Sequence, residues 1–515
     1  MLDHEGIMHL SGYVMQDDLL FDRLTVEEVL MFGARMRMHP AATAADHQRR
    51  VNKLLGIMEL EECRKVIVGS PLLKGISGGQ RKRLCVALEL LARPSVLFLD
   101  EPTSGLDSVT ALSLLHILRG IAHKENVTVV TTIHQPSRRI FDLFDDLLIL
   151  DHGEAVYHGL ASELHVFFDK AGFPCPESMN PTEWALTVIS KEEGRNRIMR
   201  ENCTPDALFE RMLQSEMPVS IINEPIVQVE KAELSWFRKY SVLLGRSMKL
   251  ESRSLFLIGV QLVQTIIMGV LIGTVFLFLP LTQANITNRR ASIFFCAINQ
   301  GYFGALLMVN VLPAERLVIM RERLSGWYPA SAYVLAKATT ELVFQSAYPV
   351  IFTLLVYWLI GYTATAGQFF IFVAFMLLCT LVANSIALLV SAATGRIILA
   401  AAALPLAMEV ARLFGAYYVP PISLPKYFSW LEAISYITYV YMGTVQSQFI
   451  GLEFGGCANS TNSTVANSTS SCLNGDQVLA SLGIGEVPIY ACALVLIGMI
   501  LVMRACAFLV LKVRP

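Results

Sequence analysis

A serine, two glycines and a glutamine, Ser77-Gly78-Gly79-Gln80, open the segment ISGGQRKRL (Ile76–Leu84). At the start of a helix, such glycines leave backbone N–H groups free at the positive end of the helix dipole, a place that suits a phosphate. Next comes LARPSVLFLDEPTSGLDS, in which an apolar run ends in Asp100 and Glu101. A carboxylate at a strand end can hold Mg²⁺ through water, and the glutamate beside it can polarise an attacking water. Asp107 closes the turn Ser104-Gly105-Leu106-Asp107. His134 ends the β-branched run VTVVTTIH, where an imidazole can reach a γ-phosphate. Gln16, in YVMQDDLLFDRLTV, can sense Mg²⁺ and its water. Taken singly, each feature has an ordinary reading: SGG is a weak signal, a lone glutamine is a surface residue, a lone histidine is a satisfied strand end, and Asp-Glu can cap a helix. Their order and spacing together leave those readings little room.

The elements that must position these residues follow from the pattern of apolar runs. Residues 1–160 alternate compact apolar runs, Val96–Asp100 and Val127–His134 among them, with amphipathic stretches. That predicts an α/β domain around a buried sheet. LLILDHGEAVYHG (Leu147–Gly159) predicts two strands around a turn at Asp151–Gly153. Residues 161–234 are charged and mixed and read as peripheral helices and a linker. Residues 235–254 are amphipathic, with Trp236, Phe237, Tyr240 and Leu243 against Arg238, Lys239, Arg246, Lys249 and Arg253. They predict a helix lying on the cytoplasmic membrane surface.

The chain has 515 residues, 54% hydrophobic and 16% charged, with a net charge of -2. This excludes a disordered or collagenous chain, and the near-neutral balance argues against nucleic acid as a partner. Most of the charge lies before Glu251, and none occurs from Leu342 to Gly395. A polytopic membrane domain, 255–515, is expected, with six spans near 255–279, 291–312, 333–360, 367–393, 397–418 and 487–511. Arg246, Lys249, Arg253, Arg316, Arg321, Arg323, Arg396, Lys512 and Arg514 all fall on the side of the N-terminal domain, which makes that side and both termini cytoplasmic. Arg289 and Arg290 are the exception. An outer loop, 446–486, carries the sequons at Asn459, Asn462 and Asn467, and Asn285 begins another in the first outer loop. A clustered set predicts glycosylation and a route to the plasma membrane or another secretory-pathway membrane. Asn126-Val-Thr in the soluble half is a chance match. Cys457 and Cys472 bracket the sequon cluster and predict a loop-closing disulfide in an oxidising compartment.

Together these motifs resemble ATP-binding cassette transporters, and specifically the White-like (ABCG) half-transporters. SGGQR is similar to the cassette signature, VLFLDE to the Walker B strand with its catalytic glutamate, SGLD to the D-loop and His134 to the switch histidine. Ala314–Lys337 looks like the first cytoplasmic loop, Ile422–Gly443 like the re-entrant outer segment, and Asn180–Trp184 (NPTEW) like the NPxD loop with Glu183 in place of Asp. The resemblance covers nearly the whole chain. It implies a dimer of half-transporters that uses ATP and Mg²⁺ to export lipids, sterols or amphipathic small molecules. Glu101 and His134 would be catalytic. Gln16, Ser77, Gly78, Gly79, Gln80, Asp100 and Asp107 would hold the nucleotide, with Gln16 and Asp100 at the metal. By position in the second and fifth spans, Asn299, Tyr302, Phe303, Met408 and Ala411 would line the substrate pathway, with Ala416 and Tyr417 where family members carry a leucine valve. Within the fifth span, Glu409 and Arg412 share a helix face and can pair. Glu341 reads as an anchor near a cytoplasmic end.

One departure stands out. The sequence has no GxxxxGK[ST] and no Gly-Lys dipeptide. The family's P-loop and its adenine-stacking aromatic are expected before Met1. Either the chain is a fragment of an ordinary half-transporter, or it is a non-hydrolysing pairing subunit that lends only its signature segment to an intact partner. In the second case Gly78→Asp abolishes activity while Glu101→Gln barely matters.

Overall fold

The computed structural model describes residues 10–70, 73–176, 179–191, 198, 234–309, 311–455, 473–485 and 487–513. It divides into two units, Met1–Ser235 and Trp236–Pro515.

In the first unit, β1 (Ser11–Val14), β2 (Val96–Leu99) and β3 (Thr128–Thr131) form a parallel sheet in that order, with Val14 opposite Leu99 and Leu99 opposite Thr131. Helices α1 (Val26–Arg37), α2 (Ala44–Ile57), α3 (Gly78–Leu90) and α4 (Ser108–Glu125) accompany it. Each begins at a polar cap. Thr25, Thr43 and Ser77 form capping boxes with Glu28, Asp46 and Gln80, and Asp107 caps α4. These boxes satisfy N–H groups that a helix end would leave orphaned.

The expectation of a buried sheet holds for one face. Gly12, Val14, Leu97 and Leu99 are buried, but Tyr13, Phe98 and Val130, which are cross-strand neighbours, are exposed. Apolar strands show that a face can be buried; among the described residues, elements cover one face only.

A second group follows α5 (Arg138–Phe141). β4 (Asp146–Asp151) and β5 (Glu154–Leu160) form the expected antiparallel hairpin. His152 and Gly153 both have positive φ, 49° and 86°, as a two-residue turn between twisted strands requires. Ile149, Val156 and Tyr157 pack with Leu164 and Phe168 of α6 (Leu164–Lys170) and with Ala185 and Val188 of α7 (Pro181–Ile189).

The second unit is helical. It comprises α8 (Trp236–Ser252), α9 (Leu255–Val275), α10 (Ile286–Met308), α11 (Val311–Leu324), α12 (Ala330–Gln345), α13 (Ala347–Ile360), α14 (Ala366–Thr394), α15 (Ile397–Leu413), α16 (Ser429–Ile434), α17 (Tyr436–Phe449), α18 (Gly475–Leu482) and α19 (Ile489–Val513). Helix α14 is central, packed by α10, α13, α15, α17 and α19. Among the described residues, four stretches are long and apolar enough to cross a membrane: Leu255–Val275, Ala330–Ile360, Ala366–Thr394 and Ile489–Val513. The expected count of six is therefore not reached on length and composition. Of the other two, α10 carries Asn288, Arg289 and Arg290 in its first turns, and α15 has only 17 residues with Pro405 inside.

The amphipathic segment 235–254 forms the expected helix, and part of its surface meets other helices of its own unit. Helix α8 packs along α12: Trp236 Nε1 donates to Ser331 Oγ at 3.0 Å, and Tyr240 and Thr339 share a 3.0 Å hydrogen bond. Arg246, expected among headgroups, is buried in a two-pronged ion pair with Glu322 of α11, at 2.7 and 2.8 Å. Amphipathicity alone does not say whether the apolar face meets lipid or another helix.

Candidate functional site

Parallel strands bring their C-terminal ends to one edge, and of the predicted residues Gln16, Asp100 and Glu101 meet there. Asp100 and Glu101 follow β2 directly. Glu101 adopts φ 41°, a left-handed conformation uncommon outside glycine. Its backbone N–H donates to Thr132 Oγ1 at 2.9 Å, and Thr132 Oγ1 donates to Asp100 Oδ1 at 2.8 Å. From β1, the Tyr13 hydroxyl donates to Asp100 Oδ2 at 3.3 Å. Partial burial and the Asp100 charge push the Tyr13 phenol upward. Gln16, in the loop after β1, donates from Nε2 to Glu101 Oε2 at 2.8 Å. Residues 85 apart in sequence thus meet because their strands are neighbours.

His134 is placed differently from expectation. β3 ends at Thr131, and His134 lies in an exposed bend beyond it. The loop is held from a distance: Asn180, the cap of α7, donates from Nδ2 to the Pro136 carbonyl at 2.6 Å while its Oδ1 accepts from Thr182. Sequence reading placed Asn180 in a motif but gave it no role, and nothing local signals the reach to Pro136.

At the signature segment, Ser77 and Gln80 spend their side chains on each other's backbone: Ser77 N–H donates to Gln80 Oε1 at 3.0 Å and Gln80 N–H to Ser77 Oγ at 3.3 Å. This presents the Gly78–Gly79 turn rigidly. A Cβ on Gly78 would meet only Leu106 Cδ2, at 4.0 Å, whereas one on Gly79 would come 2.2 Å from Thr110 Cγ2. Asp107 accepts from the N–H groups of Val109 and Thr110, and its bonding to Thr110 holds its carboxyl below the ordinary range. Among the described residues Gln16 and Glu101 hydrogen-bond each other, and neither side chain hydrogen-bonds Ser77–Gln80, Asp107 or His134.

The donor set suits a hard cation. Gln16 uses Nε2 on Glu101, so Oε1 is its oxygen left for a metal, and Asp100 supplies carboxylate oxygens. Among the described residues, no three His, Cys, Asp or Glu side chains gather into a metal cage. A cation here would take most of its ligands from water and phosphate.

In the membrane unit, Asn299 is buried in α10 and its Oδ1 has no hydrogen-bond partner among the described residues. Tyr302 and Phe303 are half-buried and meet edge to face at 5.7 Å. Met408 is buried and accepts from the Tyr436 hydroxyl at 3.4 Å, and the Ala411 carbonyl accepts from Ser435 Oγ at 2.7 Å. Ala416 is buried with φ 60°, and Tyr417 stacks on Phe294 at 4.5 Å. Arg412 and Glu409 pair at 2.6 Å. Glu341, expected as an anchor, instead binds Arg504 of α19 at 2.9 Å, and Arg504 also donates to Ser385 of α14 at 3.1 Å. Asn285 precedes α10 and donates to Thr282 Oγ1 at 2.9 Å. Asn459, Asn462, Asn467, Cys457 and Cys472 lie outside the described residues.

Comparison with known proteins agrees with this division. An ABC transporter family profile matches residues 4–104, and two ABC-2 type transporter profiles match residues 134–219 and 238–449. A nucleotide-cassette domain followed by a mostly helical membrane domain defines an ABC transporter chain. The chain is 32% identical to Protein white of Drosophila melanogaster, over all of this chain and 75% of that protein. It is 31% identical to the broad substrate specificity ATP-binding cassette transporter ABCG2 of Bos taurus, over 93% of this chain and 77% of that one. It is 30% identical to ABC transporter G family member 14 of Arabidopsis thaliana, over 88% and 72%. The chain belongs to the White/ABCG family of ATP-binding cassette transporters.

Proposed function

We propose that this chain is one subunit of an ATP-driven exporter of lipids, sterols or amphipathic small molecules, working as a dimer of half-transporters. The Gln16–Glu101 contact at the strand ends is the observation that carries this reading. Glu101 is the group that polarises the attacking water, and Gln16 holds its carboxylate in place. His134, on the loop tethered by Asn180, faces the developing γ-phosphate charge. The Ser77–Gln80 turn supplies N–H groups to a nucleotide held across the dimer. Asp100 and Gln16 would hold Mg²⁺, which would supply neutralisation of phosphate charge. Asn299, Tyr302, Phe303, Met408 and Ala411 belong to the substrate path. Six spans with both termini cytoplasmic, sugars on Asn285, Asn459, Asn462 and Asn467, and a Cys457–Cys472 bridge complete the proposal. The bridge is supported by residues at the loop base: Glu453 and Asn474 are antiparallel bridge partners.

ATP turnover in purified protein tests the reading. Glu101→Gln is expected to lower turnover by about 10²-fold or more, as loss of a general base does. A Cβ at Gly78 meets only Leu106 Cδ2 at 4.0 Å, so the expected loss of turnover with Gly78→Asp reports charge at the phosphate site, with melting temperature as the check on folding. Activity lost with Gly78→Asp but kept with Glu101→Gln would favour the pairing-subunit reading.

A further inference from the structure

Lys82 is a buried cation to which the hydrolytic reading gives no part. It lies in the first turns of α3, behind the Ser77–Gln80 capping box, and is 2% exposed. An ammonium group is costly to remove from water unless it is paired and hydrogen-bonded. Its partners all lie at the end of β1. Nζ donates to the Gln16 carbonyl at 2.7 Å, stands 2.8 Å from Asp18 Oδ1, and reaches the Met15 carbonyl at 3.5 Å. Gln16 is therefore gripped at both ends. Its backbone is held from α3, and its side chain holds Glu101. The first turn of α3 is in turn pressed against α4, where Gly79 leaves no space before Thr110.

We propose that Lys82 is a positioning residue that makes the SGGQ helix and the Gln16–Glu101 contact one mechanical body. This rests on the hydrolytic reading above. A movement of the helix end then reaches Glu101 through one buried ammonium and one glutamine, without passing through the sheet. Under this proposal Lys82 acts on turnover and not on nucleotide affinity. A purely stabilising lysine would act on neither except through unfolding.

The test uses the full chain in lipid nanodiscs. Lys82→Met keeps the stem and removes the donor; Lys82→Gln keeps a donor for the Gln16 carbonyl without the charge. Lys82→Met is expected to lower kcat for ATP about tenfold with KM changed less than about twofold, the pattern of a misplaced catalytic contact. Lys82→Gln is expected to restore most of that loss. Amide hydrogen exchange at Asp17 and Leu19 is expected to quicken in Lys82→Met while that of α2 stays the same. A fall in kcat that follows melting temperature in both variants, or unchanged exchange after β1, overturns the proposal. If the unsubstituted chain turns over no ATP, the hydrolytic reading fails and exchange alone decides the link. If Lys82→Met does not fold, Asp18→Asn takes its place; faster exchange at Asp17 and Leu19 supports the link, and none overturns it.

Discussion

Gly78 and Gly79 are adjacent in sequence and differ in physical duty. Gly78 is open space at a helix end; Gly79 is a packing contact. Gly79→Ala is therefore expected to cost about 1–3 kcal/mol, the usual range for overpacking, read by chemical denaturation. Thr110→Ser removes the clashing methyl and keeps the hydroxyl, so it is expected to rescue the variant. Glu27 offers a pH prediction at the same scale. Its hydrogen bond from Arg64, helped by Gln48 and opposed by partial burial, lowers its carboxyl from 4.5 to about 2. A depressed folded value contributes stability that is full above the ordinary value and lost as pH falls toward about 2. Glu27→Gln should flatten the fall in stability across that window, measured by melting at stepped pH. Asp100, Glu101 and the Gly78–Gly79 pair stood out because their motifs are local and ordered along the chain. Lys82 was not: in the run Arg81-Lys82-Arg83 it looks like one more solvated cation. Only the fold turns it inward.

The apolar runs Val96–Asp100 and Leu147–Gly159 contain strands as their pattern predicts, but what a helix face meets was read less well. Arg246 shows why. A basic residue on an amphipathic helix before an apolar run satisfies the pattern of a membrane-surface helix. It satisfies equally a helix whose arginine meets a glutamate 76 residues on. Breaking such a buried pair from one side leaves an uncompensated charge. Arg246→Met is expected to cost about 3–5 kcal/mol, followed by melting in detergent, and adding Glu322→Leu should return much of it. Helix α9 shows the complementary case. Gly269 and Gly273 let it approach α13 closely, since a Cβ on Gly273 would stand 2.6 Å from Leu359 Cδ1. The Gly-xxx-Gly spacing is thus used within this chain, for backbone-close packing of two membrane helices.

At the scale of the whole molecule, the division into a charged cassette half and an apolar helical half follows from composition alone. Orientation carries the prediction. Removal of N-linked sugars should lower the apparent mass, and replacing Asn459, Asn462 and Asn467 together should remove most of that shift. Asn126 should carry none: it is the left-handed cap ending α4, on the cassette side. An unchanged mass after enzyme treatment would count against the outer placement of the loop. By itself the sequence determined the family resemblance and the order of the two units. These rest on short-range patterns and on hydrophobicity, which each segment carries with it. Tertiary structure decided which polar groups meet. Gln16 with Glu101, Asn180 with Pro136 and Glu341 with Arg504 are 85, 44 and 163 residues apart. A hydrogen bond needs approach within about 3 Å, and only the packing of strands and helices sets distances of that order between remote residues.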